Sequence, residues 1–319
     1  MPSDAHYYHG YALGYWDNAV NVWPVILNFL NINGYYNRDY VSDLLLVLNL
    51  FFIPLLALRI ANLKFKENQN YYLIFFLLLT IFPTLFFYTF DVYRDVFMVF
   101  SFLLACFFVK GFINSSNILY KLFLLSFIVI FGVLLFKLRA YLGYAFFGAL
   151  FLYKINFTKK RIIVFGFIYL FSLFLANYLG LLEKLTEYRS GFDENSGGST
   201  LGLDFSNPIL FLPNFILSTL GQLFGLYITN TTSILVFLLE TLPFIFMLLY
   251  IIKNINYTNS FLRFLLIFFI LYASVWLIGN DNLGTAVRLR IYNYFAIYIC
   301  FFSLVIIKKD YELKLLVKK

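Results

Sequence analysis

Apolar runs of about 17 to 25 residues, the length that crosses roughly 30 Å of hydrocarbon as a helix, follow one another along nearly the whole chain. Short polar segments separate them. The pattern predicts spans near 43–61, 71–90, 96–112, 122–138, 140–153, 162–181, 231–252, 262–279 and 291–307. The fifth is short and shares a tight corner with the fourth. Two further apolar stretches are less regular. "NVWPVILNFLNINGYY" (21–36) is too short to cross and is edged by Trp23 and Tyr35. "ILFLPNFILSTLGQLFGLYITN" (209–230) is broken by Pro213, Gly221 and Gly225, as expected of a surface-lying or re-entrant helix. Between spans, "LTEYRSGFDENSGGSTLGLDFSNP" (185–208) is rich in glycine, serine and acids and reads as a loop. The prediction is an all-α polytopic membrane protein with about nine transmembrane helices, or ten to eleven when re-entrant and interfacial helices are counted. It forms a single integral membrane domain over 1–319, with an outer N-terminal segment 1–42 and a large outer loop 182–230. No internal repeat is visible.

Composition agrees with the pattern. Hydrophobic residues make up 62% of the chain and charged residues 13%, too few charges to keep a soluble surface dispersed. The 43 Phe and 26 Tyr suit a membrane body with interfacial aromatic belts. The net charge of +8 does not point to nucleic acid, because the lysines gather in short segments between apolar runs: "LKFKEN" (63–68), "KINFTKKR" (154–161) and "IIKKDYELKLLVKK" (306–319). That is the positive-inside signature, and it places those segments in the cytoplasm. Cys106 and Cys300 lie inside apolar runs and give neither a metal spacing nor a disulfide framework. The start "MPSDAHYYHGYALGYW" has no basic or apolar region of a signal peptide and reads as an outer segment.

Alternating sides from the lysine-rich loops separates the two basic residue types. Thirteen of fifteen lysines fall on or beside the cytoplasmic face, whereas six of nine arginines fall outside: Arg38, Arg94, Arg139, Arg189, Arg288 and Arg290. Topology alone treats lysine and arginine alike, so outward arginines need another reason. The planar guanidinium binds phosphate or carboxylate bidentately and stays charged, so a shared anionic ligand is one explanation. Pairing of each arginine with an acidic neighbour, such as Asp39, Asp95 or Glu187, is the other. Arg94 sits in the outer turn "DVYRD", Arg139 before "AYLGYAFFGALF", Arg189 in "EYRSG", and Arg288 and Arg290 in "NDNLGTAVRLR". Loops converging at one face could hold a pyrophosphate with two or three arginines and stabilise it as a leaving group. Asp281, in the same stretch as Arg288, is a candidate base or positioning group, with a plain ion-pair role equally open. Glu240, within "SILVFLLETLPFIF", is an intramembrane carboxylate that needs a partner or a polar cavity. Asp4 and His6, with His9, supply polar groups in the N-terminal segment, a weak metal pattern that reads better as residues bordering a sugar site. No nucleotide-binding loop or metal cluster is present in the sequence.

These stretches, "PSDAHYYHGYA", "DVYRDVFMVF", "LRAYLGYAF", "YRSGF…GGSTLG", "LLETLPF" and "NDNLGTAVRLR", resemble bacterial O-antigen and related polysaccharide polymerases of the Wzy type. The resemblance runs along nearly the whole chain. It implies an all-α, GT-C-related fold in the bacterial inner membrane with an active site facing the periplasm. It implies transfer of a growing glycan from its lipid carrier onto an incoming undecaprenyl-pyrophosphate-linked oligosaccharide, without nucleotide sugar, metal or other cofactor. The bilayer and a chain-length regulator are the further partners it implies. Arg139, Arg189, Arg288 and Arg290 are the best matches to the functional arginines of such enzymes. Two other readings stay open: a lipid-linked-sugar glycosyltransferase or ligase of the GT-C type, with Asp4 and Asp17 as its acids, and a flippase or other transporter. A flippase should carry charges mid-span and related halves, which this sequence lacks.

Overall fold

The computed structural model describes residues 4–192 and 199–317. Among them the chain is helical, and the one strand-like feature is an isolated antiparallel bridge between Thr200 and Asn282. Seven helices are long and apolar enough to cross a membrane: Arg38–Ile60, Asp95–Asn114, Ile118–Leu138, Lys160–Tyr178, Thr231–Lys253, Ser260–Gly279 and Leu283–Lys314. They fit a membrane-embedded protein. The chain divides into two compact units, 1–150 and 151–319.

In the first unit, α1 (Asp4–Ala12) and α2 (Val22–Ile32) precede the first long helix, α3 (Arg38–Ile60). The N-terminal segment is therefore mostly helical. Asn21 caps α2 by accepting from the Trp23 N–H, and Asn37 caps α3 by accepting from the Asp39 and Tyr40 N–H groups. Pro54 interrupts the ladder of α3. Its missing N–H leaves Leu50 without its usual partner, and the preceding turn, Leu48–Phe52, widens into a π-turn. The freed Leu50 carbonyl accepts from the Thr80 hydroxyl at 3.5 Å.

The predicted span 71–90 is two short helices, α4 (Gln69–Thr80) and α5 (Pro83–Phe87). Phe82 is extended, as a residue before proline prefers, so the apolar run continues where the helix does not. At about 18 Å, α4 is shorter than the hydrocarbon layer. The long helices α6 (Asp95–Asn114) and α7 (Ile118–Leu138) follow, with Asn117 capping α7. The predicted corner stands at Arg139, whose extended backbone separates α7 from α8 (Ala140–Leu152). Gly143 permits it, because a Cβ there would lie 2.6 Å from the Phe136 backbone. With 13 residues, α8 is also too short to rank as a full span.

The second unit opens with α9 (Lys159–Tyr178), capped by Thr158. The stretch expected to be a loop from residue 185 starts instead as a helix, α10 (Glu183–Ser190). Its acidic, glycine-rich middle, 193–198, lies outside the described residues. The interrupted apolar stretch is one short helix, α11 (Pro208–Leu223), ending in a π-turn at Thr219–Leu223. In α12 (Thr231–Lys253), another π-turn at Phe237–Thr241 again stands just before a proline, Pro243. The core is the pair α13 (Ser260–Gly279) and α14 (Leu283–Val317), where Tyr272, Tyr292, Tyr294 and Tyr298 are fully buried. At 35 residues, α14 is about 52 Å long. It outruns the predicted span 291–307 at both ends, because helical hydrogen bonding continues through polar flanks that hydropathy leaves out.

Candidate functional site

In the first unit, polar groups collect at one end of the long helices. The guanidinium of Arg38, at the start of α3, grips Asp91 bidentately, Nε to Oδ1 at 2.8 Å and Nη2 to Oδ2 at 2.5 Å. The Val92 N–H also donates to Asp91 Oδ1, at 2.8 Å. From α2, the indole N–H of Trp23 donates to the Val92 carbonyl at 2.8 Å while its ring stacks on Phe97. The turn around residues 88–94 is thus pinned from two sides. Burial works to raise the Asp91 pKa, but the Arg38 hydrogen bonds and charge and the Val92 N–H hold it below the usual carboxylate range. The sign follows: the folded pKa is the lower one. The pair's contribution is complete above the unfolded value near 3.9 and fades as pH falls through the still lower folded value. Because 31% of the Arg38 side chain and 24% of the Asp91 side chain are exposed, that contribution is about 1 kcal/mol. Unfolding in detergent followed from pH 7 to pH 3 should show this loss in the native chain and a flatter profile in Asp91→Asn.

Arg94 donates through Nη1 to the Leu138 carbonyl at 3.0 Å, capping the C-terminus of α7. Arg139, next in the chain after that carbonyl, is buried with Nη2 at 3.9 Å from Asp95 Oδ1 and its guanidinium 5.7 Å from the Tyr141 ring. Asp95 is itself fully buried in the first turn of α6, where the helix dipole favours a carboxylate. Over these groups lies α1. Tyr8 is buried within electrostatic reach of Arg94, Asp4 and Asp95, and its side chain hydrogen-bonds with Asn21. Burial, ahead of those charges, raises its pKa. His9 Nδ1 meets the Tyr36 hydroxyl at 2.8 Å. Asp4 and His6 are exposed. The first unit thereby brings together four predicted or neighbouring charges, Asp4, Arg94, Asp95 and Arg139.

The second unit has two separate clusters. In one, Arg189 at the end of α10 is 3% exposed and engages all three of its nitrogens. Nε donates to the Leu203 carbonyl at 2.9 Å, and Nη1 donates to the Leu277 and Asn280 carbonyls at 3.0 and 2.6 Å. Nη2 donates to Asp281 Oδ1, and the guanidinium stacks over Phe205. Asp281 Oδ2 accepts from the Gly202 N–H at 2.9 Å. Gln222 and Ser218 of α11 extend the network: Gln222 donates to the Asn280 carbonyl, and Ser218 to that of Leu277. Burial pulls the Arg189 pKa down to about 10, against the pull of Asp281, so the group stays charged at neutral pH. This arrangement caps the C-terminus of α13 and ties the loop after residue 199 to it. It is a structural latch, and it occupies both oxygens of Asp281.

The other cluster sits between α12 and α14. Glu240, on the π-turn, is fully buried with Oε2 at 3.6 Å from Arg290 Nη2. Tyr294, one turn beyond Arg290, donates to the Leu223 carbonyl at 2.6 Å and meets the Thr241 hydroxyl at 3.0 Å. Tyr298 donates to the Glu240 carbonyl at 2.7 Å. Arg288 is half-buried on α14 and stands apart from this cluster, since residues two apart on a helix point about 200° apart. Of the second unit's predicted residues, the structure joins Arg189 with Asp281 and Arg290 with Glu240, as two pairs. Sequence reading passed over Gln222, Ser218, Asn280, Tyr294 and Tyr298. A signal for the tyrosines was present: Arg290, Tyr294 and Tyr298 recur every four residues, on one helical face.

Among the described residues no group of three His, Cys, Asp or Glu side chains is placed to hold a metal ion. Compared with protein-family models, with curated proteins and with solved structures, the chain matches none.

Proposed function

We propose that the protein is a surface-polysaccharide polymerase of the bacterial inner membrane, joining undecaprenyl-pyrophosphate-linked repeat units on the periplasmic face. The incoming unit's hydroxyl attacks the anomeric carbon of the growing chain, the bond from that carbon to the pyrophosphate breaks, and the lipid pyrophosphate leaves, taking up the hydroxyl proton directly or through water. Such a reaction needs fixed positive charge in a low-dielectric setting, where the charge on the leaving group develops. The observation that carries this reading is the burial of arginines beside carboxylates among apolar helices, Arg139 with Asp95 and Arg290 with Glu240. Both contacts are longer than a charge-assisted hydrogen bond. Each unit is assigned its own phosphate-binding group: Arg139 in the first, bordered by Arg94 and Asp4, and Arg290 in the second, with the half-buried Arg288 a separate candidate on another face of α14. Arg189 and Asp281 we assign to holding the framework.

Deleting the gene in a polysaccharide-producing host tests this directly. The expected product is surface glycan reduced to single repeats, with long chains restored by the native gene. Repeats trapped on the cytoplasmic side would replace the polymerase with a flippase, and unchanged long chains would remove both.

A further inference from the structure

Arg290 differs from Arg189, the other buried arginine of the second unit, in how its charge is met. Arg189 donates from every nitrogen. Arg290 is 97% buried, yet its contact to Glu240 is 3.6 Å, and among the described residues its Nε has no hydrogen-bond partner. A guanidinium taken out of water without short hydrogen bonds keeps much of its desolvation cost. The surrounding frame, in contrast, is closed. Tyr294 and Tyr298 tie the Leu223 and Glu240 carbonyls to α14, and the Tyr294 ring lies 5.2 Å from the guanidinium. Gly225 comes against the charge in a left-handed conformation, φ +56°, and a Cβ there would lie 2.6 Å from Arg290 Nη1. Only glycine allows that approach. Two π-turns, Thr219–Leu223 and Phe237–Thr241, flank the same point. Irregular turns of this kind concentrate where a helix does work other than packing.

We infer that Glu240 is a resident counter-ion of Arg290 that gives way to a phosphoryl oxygen, making this pair an anion-exchange site for a pyrophosphate. Glu240 keeps the buried guanidinium neutralised while the site is empty. Its loose geometry lets an anion with shorter, forked contacts take its place. The exchange rests on the reading of Arg290 as a pyrophosphate-binding group, and it assigns Glu240 the role of competitor.

The test uses the full-length protein purified in detergent, titrated with inorganic pyrophosphate and, separately, with a short-chain prenyl pyrophosphate. Binding is read by calorimetry and by the rise in unfolding temperature. Arg290→Gln should lose binding. Glu240→Gln and Glu240→Ala remove the competitor and should bind about tenfold more tightly, because the guanidinium is then uncompensated. Glu240→Asp keeps the charge on a shorter arm and should fall between native and Glu240→Gln, which covers the case in which the neutral variants fail to fold. Tighter binding of the prenylated probe assigns the site to a lipid headgroup, equal binding to the free anion, and either supports the exchange. Unchanged or weaker binding in the Glu240 variants overturns it, as does native-like binding by Arg290→Gln or no binding by the native protein. Binding of this kind in a protein whose deletion leaves long chains intact would remove the polymerase and leave the exchange site. Polymerisation with no gain in Glu240→Gln would do the reverse.

Discussion

Replacing Arg189 by alanine should cost about 3–5 kcal/mol of stability, the loss associated with breaking a buried, hydrogen-bonded ion pair from one side. Two liabilities appear together in that variant. The Leu203, Leu277 and Asn280 carbonyls lose a buried donor, and Asp281 keeps its charge with, among the described residues, only the Gly202 N–H donating to it. Thermal unfolding in detergent should show a large drop in midpoint, or the protein should fail to accumulate in membranes. Arg189→Lys should recover little, since an ammonium cannot serve carbonyls on two sides and a carboxylate from one planar fork. Asp281→Asn should cost less than Arg189→Ala, because an amide still accepts from the Gly202 N–H. Removing both charges as Arg189→Met with Asp281→Leu should be milder than the sum of the two single losses, which a double-mutant cycle measures. A stable, well-folded Arg189→Ala that fails only in polymer formation would move Arg189 out of the latch and into the substrate site.

The positions of the helices were largely readable from the chain, and the pairing of its charges was not. Asn37, Asn117, Asn230 and Asn259 stand directly before helices and cap them, so local chemistry marks those starts. The turn at Arg139 could be placed because two apolar runs meet there. Pro54 and Pro243 inside apolar runs foretell the π-turns before them, although hydropathy gives no hint of these. Hydropathy also carried the predicted span 71–90 straight through Pro83, where the backbone breaks. For charges, proximity in sequence misleads. Arg38 is next to Asp39 but pairs with Asp91, and Arg189 is two residues from Glu187 but pairs with Asp281. Arg94 is next to Asp95, yet Arg94 caps α7 and Asp95 faces Arg139. Successive residues on a helix diverge by about 100°, so an adjacent acid seldom reaches the same point. Partners 44 to 92 positions away depend on how the helices pack, which one sequence does not reveal.

Arg139→Ala should abolish long chains while leaving the protein inserted and folded, and the contrast with Arg189 shows why. Arg139 follows α7 at the corner, in an extended conformation that its backbone, and not its side chain, sets: its N–H reaches the Leu135 carbonyl at 2.8 Å and its own carbonyl accepts from the Leu142 N–H at 2.9 Å. Truncating the guanidinium leaves those bonds in place. The carboxylate it faces, Asp95, remains in the first turn of α6, where the positive end of the helix dipole supports a negative charge. What disappears is a fixed, buried positive charge that we assign to the pyrophosphate leaving group. Loss of one such preorganised electrostatic contact lowers turnover by about 10²–10³-fold. At that rate a host producing repeats at its normal pace should display single units in place of a ladder of long chains. Arg139→Lys should improve on alanine only slightly, since a point charge cannot reproduce two parallel hydrogen bonds to phosphoryl oxygens. The measurement is the length distribution of surface glycan beside the amount of protein in the membrane fraction. Normal chains from Arg139→Ala would take Arg139 out of the reaction, and loss of the protein itself would place it in the framework with Arg189.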